Sequence, residues 1–319
     1  MSDLMIEARS LCRRFNGFTA VDSIDLQVGE GEVFGLLGPN GAGKTTTVRM
    51  LACLIRPTGG TAYVCGRDVY DPVMAREIRG MVGILTETSG FYDELSVYKN
   101  LRFYADLYHM ERKTAQRNID YYLRLFDLWD VRNSRVAGFS RGMRQKLALT
   151  RCLVHEPRIL FMDEPTSGLD PESARIVRDS IRSLKAGGRT IFLCTHNLDE
   201  AERLCDRIAI IDKRILKADT PQKIKYSAYG RRVVIRLERL SDRMASIIHG
   251  MDSVRRVESE GNELVIDVND PETDNADIAD VADIVSTIVG AGGRIQYVGE
   301  QRHTLEEAYI KLVGDRVGH

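Results

Sequence analysis

Val33-Phe34-Gly35-Leu36-Leu37-Gly38-Pro39-Asn40-Gly41-Ala42-Gly43-Lys44-Thr45-Thr46 is the stretch that decides how this chain reads. The first five residues form a short apolar run, the pattern of a strand buried on both faces in a parallel sheet. Gly38 to Thr45 then match GxxxxGK[ST] in full, and a helix is expected from Lys44 to about Leu54. A strand before and a helix after are the context in which this motif holds phosphate. Its glycines let backbone N–H groups curl around an anion with no Cβ in the way. Lys44 places a point charge at the β- and γ-phosphates, and the Thr45 hydroxyl is suited to ligate Mg²⁺. The helix N-terminus adds favourable field.

Two more strand ends supply the groups such a site needs. Ile159-Leu160-Phe161-Met162 is an apolar run ending on adjacent carboxylates, Asp163 and Glu164. Open α/β sheets bind ligands at the carboxyl ends of their strands. There Asp163 is placed to hold Mg²⁺ directly or through water, and Glu164 to orient or deprotonate an attacking water. Thr190 to Cys194 is a similar run, and His196 follows it with a donor for the γ-phosphate or the water. Asp170 before Pro171 is a helix N-cap pattern, with Gly187-Gly188 closing that helix.

Around these elements the periodicity gives early strands near Ile6–Leu11 and Val21–Val28, a strand near Thr61–Val64, and another at Ile208–Ile211. From Val97 to about Leu128 the pattern is mostly helical. The class is α/β with antiparallel additions. Composition changes after Pro221, and a second unit is expected from near Tyr229, with order strand, helix, strand, strand, helix, strand. That is a ferredoxin-like βαββαβ order. A last helix opens with Thr304 and Glu307 as a capping box, with Leu305, Ala308, Tyr309, Leu312 and Val313 on one stripe.

The 319 residues are 43% apolar with a formal net charge of −1, enough for a folded core and no sign of nucleic acid as the main partner. Residues 251–319 carry 15 Asp or Glu against 6 Lys or Arg, which reads as solvated surface. Six cysteines without a CxxC pair, most beside apolar neighbours, read as free thiols in a reducing compartment. The first nine residues lack the features of a signal peptide, and no stretch approaches 18 consecutive apolar residues. A transport role therefore requires a separate membrane component.

With these motifs in place, residues 4–220 resemble an ABC-type ATPase. The resemblance implies a P-loop NTPase core with an antiparallel β subdomain and an inserted helical subdomain at about 88–157, in a domain spanning 1–228. A small C-terminal α+β accessory domain would occupy 229–319. It further implies that two copies dimerise head to tail around two ATP molecules, each with Mg²⁺. Gly38–Thr46 match Walker A, Ile159–Asp163 match Walker B followed by catalytic Glu164, Ser167–Asp170 match the D-loop, and His196 matches the switch histidine. Phe15 fits the aromatic that stacks on adenine. The signature LSGGQ is matched by Phe139-Ser140-Arg141-Gly142-Met143, which keeps Ser140 and Gly142. Arg141 stands at a glycine position, either adding charge across the dimer or pointing to solvent. The Q-loop glutamine is matched by Glu87, a carboxylate able to accept from metal-bound water but unable to donate as an amide does.

The layout of one nucleotide domain with a C-terminal extension is most similar to the ATPase subunits of bacterial ABC-2-type exporters. That implies a homodimer on the cytoplasmic side of a membrane, peripheral to a separate permease contacted by residues around 87 and within 88–130. An ABC ATPase acting on DNA or ribosomes, and an ATP-gated regulatory subunit, are the alternatives.

Overall fold

The computed structural model describes residues 4–86, 90–268, 279–301 and 303–317. The chain forms two compact units, Met1–Pro221 and Gln222–His319.

In the first unit, β1 (Leu4–Phe15) and β2 (Phe18–Gly29) form a long hairpin. Its turn, Asn16-Gly17, has φ of +38° and +87°, the combination that matches the twist of antiparallel strands. β3 (Val33–Leu37) is buried at every residue. α1 (Lys44–Leu51) ends three residues short of the expected Leu54, because Cys53 turns to φ +55°. β4 (Gly59–Val64) and β5 (Arg67–Asp68) complete an antiparallel sheet in the order β2-β1-β4-β5. α2 (Pro72–Met81), capped by Asp71, leads into β6 (Val82–Leu85), a strand too short to announce itself in the sequence.

The expected long helical stretch is two helices, α3 (Val97–Leu107) and α4 (Arg112–Leu125), broken where His109 takes φ +53°. α5 (Arg141–Leu153), β7 (Ile159–Asp163), α6 (Pro171–Ala186), β8 (Thr190–Thr195), α7 (Leu198–Leu204), β9 (Arg207–Asp212) and β10 (Arg214–Asp219) follow. The central sheet runs β10-β9-β3-β8-β7-β6, parallel except for β10.

Alternation along the buried strands divides their side chains between the two faces of the sheet. Phe34, Phe192 and Phe161 lie side by side on β3, β8 and β7, with ring centroids 5.5 and 5.6 Å apart. They share one core with α1 and the antiparallel sheet. The register sets Leu37 beside Thr195, and Asp163 beside Cys194, so the ends of three strands open at one edge. Burial raises the Cys194 thiol's pKa well above its ordinary value, and all six cysteines are free.

Beside β6, His155 stacks on Tyr108, with centroids 3.8 Å apart and planes 6° from parallel. Its Nε2 lies 3.0 Å from the Val82 carbonyl oxygen, which selects the tautomer with hydrogen on Nε2. Burial lowers its pKa from 6.5 to about 4. Between those values the unfolded chain binds more protons here than the folded one. This histidine's contribution is therefore complete above pH 6.5 and is lost as pH falls toward 4, by up to about 3 kcal/mol. A His155→Gln variant should show a shallower fall in Tm over that window, measured by calorimetry. An unchanged slope would rule this histidine out as the source.

The second unit contains α8 (Pro221–Tyr229), which begins at its boundary, then β11 (Arg231–Leu237), α9 (Asp242–His249), β12 (Val254–Glu260) and β13 (Glu263–Val268). α10 (Ala279–Gly290), β14 (Ile295–Glu300) and α11 (Leu305–Val317) complete it. The antiparallel sheet has the order β12-β13-β11-β14. Val233, Ile235, Leu264 and Ile266 pack with Ile248, Ile284 and Ile288 in a separate core. The capping box forms as expected: Thr304 N–H donates to Glu307 Oε2 at 3.0 Å, and Glu307 N–H donates to Thr304 Oγ1 at 3.2 Å.

Candidate functional site

The loop after β3 closes on its own lysine. Lys44 Nζ, on a residue only 6% exposed, donates to the carbonyl oxygens of Gly38 at 2.6 Å and Pro39 at 3.2 Å. Gly43 takes φ +101°, and a Cβ there would sit 2.6 Å from the Ala20 carbonyl oxygen. Glycine is required at that position on both counts. Pro39, Asn40, Gly41, Ala42, Gly43, Lys44, Thr45 and Thr46 line a cavity of about 280 Å³ together with Asp163, Glu164, Ala20 and Phe18. A larger cavity of about 690 Å³ between α4 and α6 is lined by Tyr121, Tyr122, Leu125 and Phe126 among others. It has no phosphate loop, so size does not mark the site.

The carboxylates and the histidine arrive as the strand ends predict. Thr45 Oγ1 donates to Asp163 Oδ2 at 2.6 Å, joining α1 to the end of β7. Glu164 Oε1 lies 3.8 Å from Lys44 Nζ and 2.8 Å from His196 Nδ1. Despite that proximity, Oε1 is buried without a well-directed hydrogen bond. An unsatisfied acceptor beside a phosphate loop is a place for a water. Glu164 has φ +50°, an uncommon conformation for a side-chain-bearing residue, and its N–H donates to Cys194 O at 2.9 Å.

Behind it, Thr195 Oγ1 reaches Glu164 Oε2 at 3.5 Å and Glu200 Oε2 at 3.2 Å. Burial raises the pKa of Glu200. Sequence reasoning did not single out Thr195 or Glu200, because Asn-Leu-Asp-Glu in a short helix looks like ordinary solvated charge.

Ser140, Arg141 and Gly142 do not line the cavity. Ser140 caps α5 by accepting from Met143 N–H at 3.3 Å. Arg141 bonds within its own chain, donating to the Ser167 carbonyl oxygen at 2.6 Å. Asp170 caps α6 through Glu172 N–H and Ser173 N–H, and a hydrogen bond from the Ser173 hydroxyl, together with those from the backbone, holds its carboxyl below the usual range. Phe15 is 40% exposed, with the Arg13 guanidinium 4.2 Å from its ring centroid. Its register partner Phe18, not chosen from the sequence, is the aromatic on the cavity wall. Glu87 lies outside the described residues.

Comparison with known proteins gives this geometry a family. The ABC transporter family model matches residues 21–167. A daunorubicin resistance ATP-binding protein of Streptomyces coeruleorubidus is 35% identical over 317 residues, 99% of this chain and 97% of that protein. The chain belongs to the ABC transporter ATP-binding proteins. A Nod factor export ATP-binding protein of Cupriavidus pinatubonensis is 33% identical over 97% of this chain and 91% of its own length. Among solved structures, the ATP-binding subunit of an ABC transporter superimposes with TM-score 0.64 at 30% identity, covering 70% of this chain and 92% of that one. As an ABC transporter subunit, the chain binds ATP and hydrolyses it to ADP and phosphate. Among its described residues no helix is long and apolar enough to cross a membrane. ABC subunits of this kind work with membrane components.

Proposed function

We propose that this ABC ATPase powers export through a separate ABC-2-type permease, acting as a homodimer on the cytoplasmic side of the membrane. The observation that carries the reading is the meeting of Lys44, Thr45, Asp163 and Glu164 at one phosphate-sized cavity, with His196 Nδ1 2.8 Å from Glu164 Oε1. Similarity along nearly the full length to a Nod factor export subunit supports the direction.

In this reading the backbone N–H groups of Gly41 to Thr46 cradle the phosphates. Lys44 exchanges its two carbonyl partners for the β- and γ-phosphate oxygens. Thr45 and Asp163 present hard oxygen donors side by side, which fits Mg²⁺, an ion commonly held by one or two protein oxygens plus phosphate. When bound, the ion neutralises charge developing on the phosphoryl oxygens. Glu164 Oε1 receives the proton of the attacking water, and His196 holds that carboxylate and the γ-phosphate in register. Ser140 and Gly142 open α5, and its N-terminus meets the phosphate of the other copy in a head-to-tail dimer. That places Ser140 and Gly142 in a site although they stand outside the cavity of their own chain.

The permease contact falls on α3 and the segment before it, where Tyr92 is 50% exposed, Phe103 37% and Leu107 59%. We infer that the second unit is an accessory domain beginning near Gln222, directly after the change in composition at Pro221 and seven residues before the expected start at Tyr229. Its βαββαβ order and β12-β13-β11-β14 sheet support a ferredoxin-like topology.

The test is ATP turnover against protein concentration, with and without a co-expressed permease in vesicles. The reading expects specific activity to rise with dimerisation and again with the permease. Turnover independent of both would remove the exporter assignment.

A further inference from the structure

We propose that Arg141 is a positioning residue for ATP hydrolysis: its guanidinium, bonded to Ser167 and lying over Gly168, holds the loop that begins at Glu164. The proposal rests on the assignment of Glu164 as the group that receives the water's proton.

Two hydrogen bonds fix the loop after β7 to the first turns of α5, and a close contact packs α5 on α6. Arg141 Nη2 donates to the Ser167 carbonyl oxygen at 2.6 Å. One turn along, Gln145 Nε2 donates to the Pro165 carbonyl oxygen at 2.7 Å. Between them Gly142 packs closely enough on α6 that a Cβ would lie 2.5 Å from Ser173 Oγ. The loop's own bonds are few: Ser167 N–H donates to Glu164 O at 3.1 Å, and Leu169 N–H donates to Thr166 O at 3.2 Å.

The conformation that these contacts hold is an uncommon one. Glu164 has φ +50° and Gly168 has φ +64°. A non-glycine residue persists in the left-handed region only where its surroundings over-determine it. The Arg141 guanidinium covers Gly168 so closely that a Cβ there would fall 2.3 Å from Cζ. A side chain at 168 would evict the guanidinium.

The substitution is thus specific in what it does. A glycine at 141, as in the usual signature, would leave Ser167 O without its charge-assisted donor and the face of Gly168 bare. Arg141 is itself exposed, so the contact adds little to global stability. Its consequence is local, falling on a loop whose first residue, Glu164, lines the cavity. A carboxylate displaced from the line of attack loses rate without losing ATP, because the backbone N–H groups of Gly41 to Thr46 and Lys44, which hold the phosphates, belong to another loop.

The experiment measures kcat, KM and ATP Kd for full-length Arg141→Gly, Arg141→Lys, Gly168→Ala and Arg141→Gly/Gly168→Ala, with Glu164→Gln in parallel. Arg141→Gly is expected to lower kcat about tenfold with Kd within about twofold of wild type. Arg141→Lys, whose ammonium can still reach Ser167 O, should recover part of that loss. Gly168→Ala should lower kcat on its own, and the double variant should lose much less than the product of the two single losses, since each removes the same contact. Hydrogen exchange at the amides of residues 166–169 should quicken in Arg141→Gly, and this arm stands even if Gly168→Ala fails to fold.

A loss confined to KM and Kd would mean that Arg141 touches nucleotide and would overturn the proposal. Multiplicative losses in the double variant, or an unchanged kcat in Arg141→Gly, would overturn it as well. Turnover retained by Glu164→Gln would refute the Glu164 assignment instead, whatever the Arg141 series shows.

Discussion

Glu164→Gln is expected to lower kcat for ATP hydrolysis about 1,000-fold while ATP Kd stays within about threefold. The change is close to isosteric, and the amide tolerates φ +50° much as the carboxylate does, so the loop keeps its course. What disappears is the basicity of Oε1, the buried acceptor that has no well-directed bond in the free protein. An amide oxygen at that point still accepts a hydrogen bond from water, so a water can bind, but it cannot take the proton. Binding of ATP should hold or tighten, because a negative charge 3.8 Å from Lys44 no longer competes with the γ-phosphate for that ammonium. Phosphate release under saturating ATP, paired with titration of a fluorescent nucleotide, measures both halves. Residual turnover within about tenfold of wild type would move the proton to another group. His196→Ala should fall between the two, since His196 Nδ1 contacts the same Oε1 at 2.8 Å but is largely exposed.

The parts of this site that were legible in the sequence are those whose chemistry is local. The phosphate loop needs a strand, glycines and a lysine within a few residues, and Val33–Thr46 writes all of it in one line. Asp163, Glu164 and His196 sit at the ends of apolar runs, so their placement follows once the runs are taken as parallel strands of one sheet. The unread parts depend on non-local pairing. β6 is four residues long and gains its identity only from pairing with β7. Phe15 and Phe18 are equivalent by residue type, and only the register of the hairpin puts Phe18 on the cavity wall.

Arg141 shows the same limit from another side. The sequence reveals a departure from the usual signature, but its consequence depends on Ser167, 26 residues away, where the chain turns back beneath α5. Glu200 was invisible for a related reason. Its burial at 2% exposed follows from α7 docking against β3 and β8, which no feature of Asn-Leu-Asp-Glu announces.

Lys44→Ala is expected to weaken ATP binding about 100-fold, a loss of about 2.7 kcal/mol. In the free protein the ammonium already has partners, Gly38 O, Pro39 O and the Glu164 carboxylate. Its net worth to ATP is therefore the difference between those contacts and the phosphate oxygens. The difference favours ATP strongly, because two neutral carbonyls give way to a polyanion in a partly enclosed cavity. Removing the ammonium also leaves Glu164, whose side chain is 17% exposed, facing incoming phosphate without the lysine's charge beside it. Repulsion then adds to the lost attraction. Lys44→Arg separates charge from shape: it keeps the charge, but a planar fork cannot replace a compact ammonium seated between two loop carbonyls, so affinity should not return to the wild-type value. Ligand-induced stabilisation gives a direct readout. At ATP near 100 times the wild-type Kd, the wild-type protein gains about 2.7 kcal/mol, whereas Lys44→Ala at the same concentration gains about 0.4 kcal/mol. The ATP-dependent rise in Tm should therefore almost vanish. If that rise stays intact in Lys44→Ala, the backbone N–H groups of Gly41 to Thr46 hold the phosphates without help, and the lysine is a loop-closing residue alone.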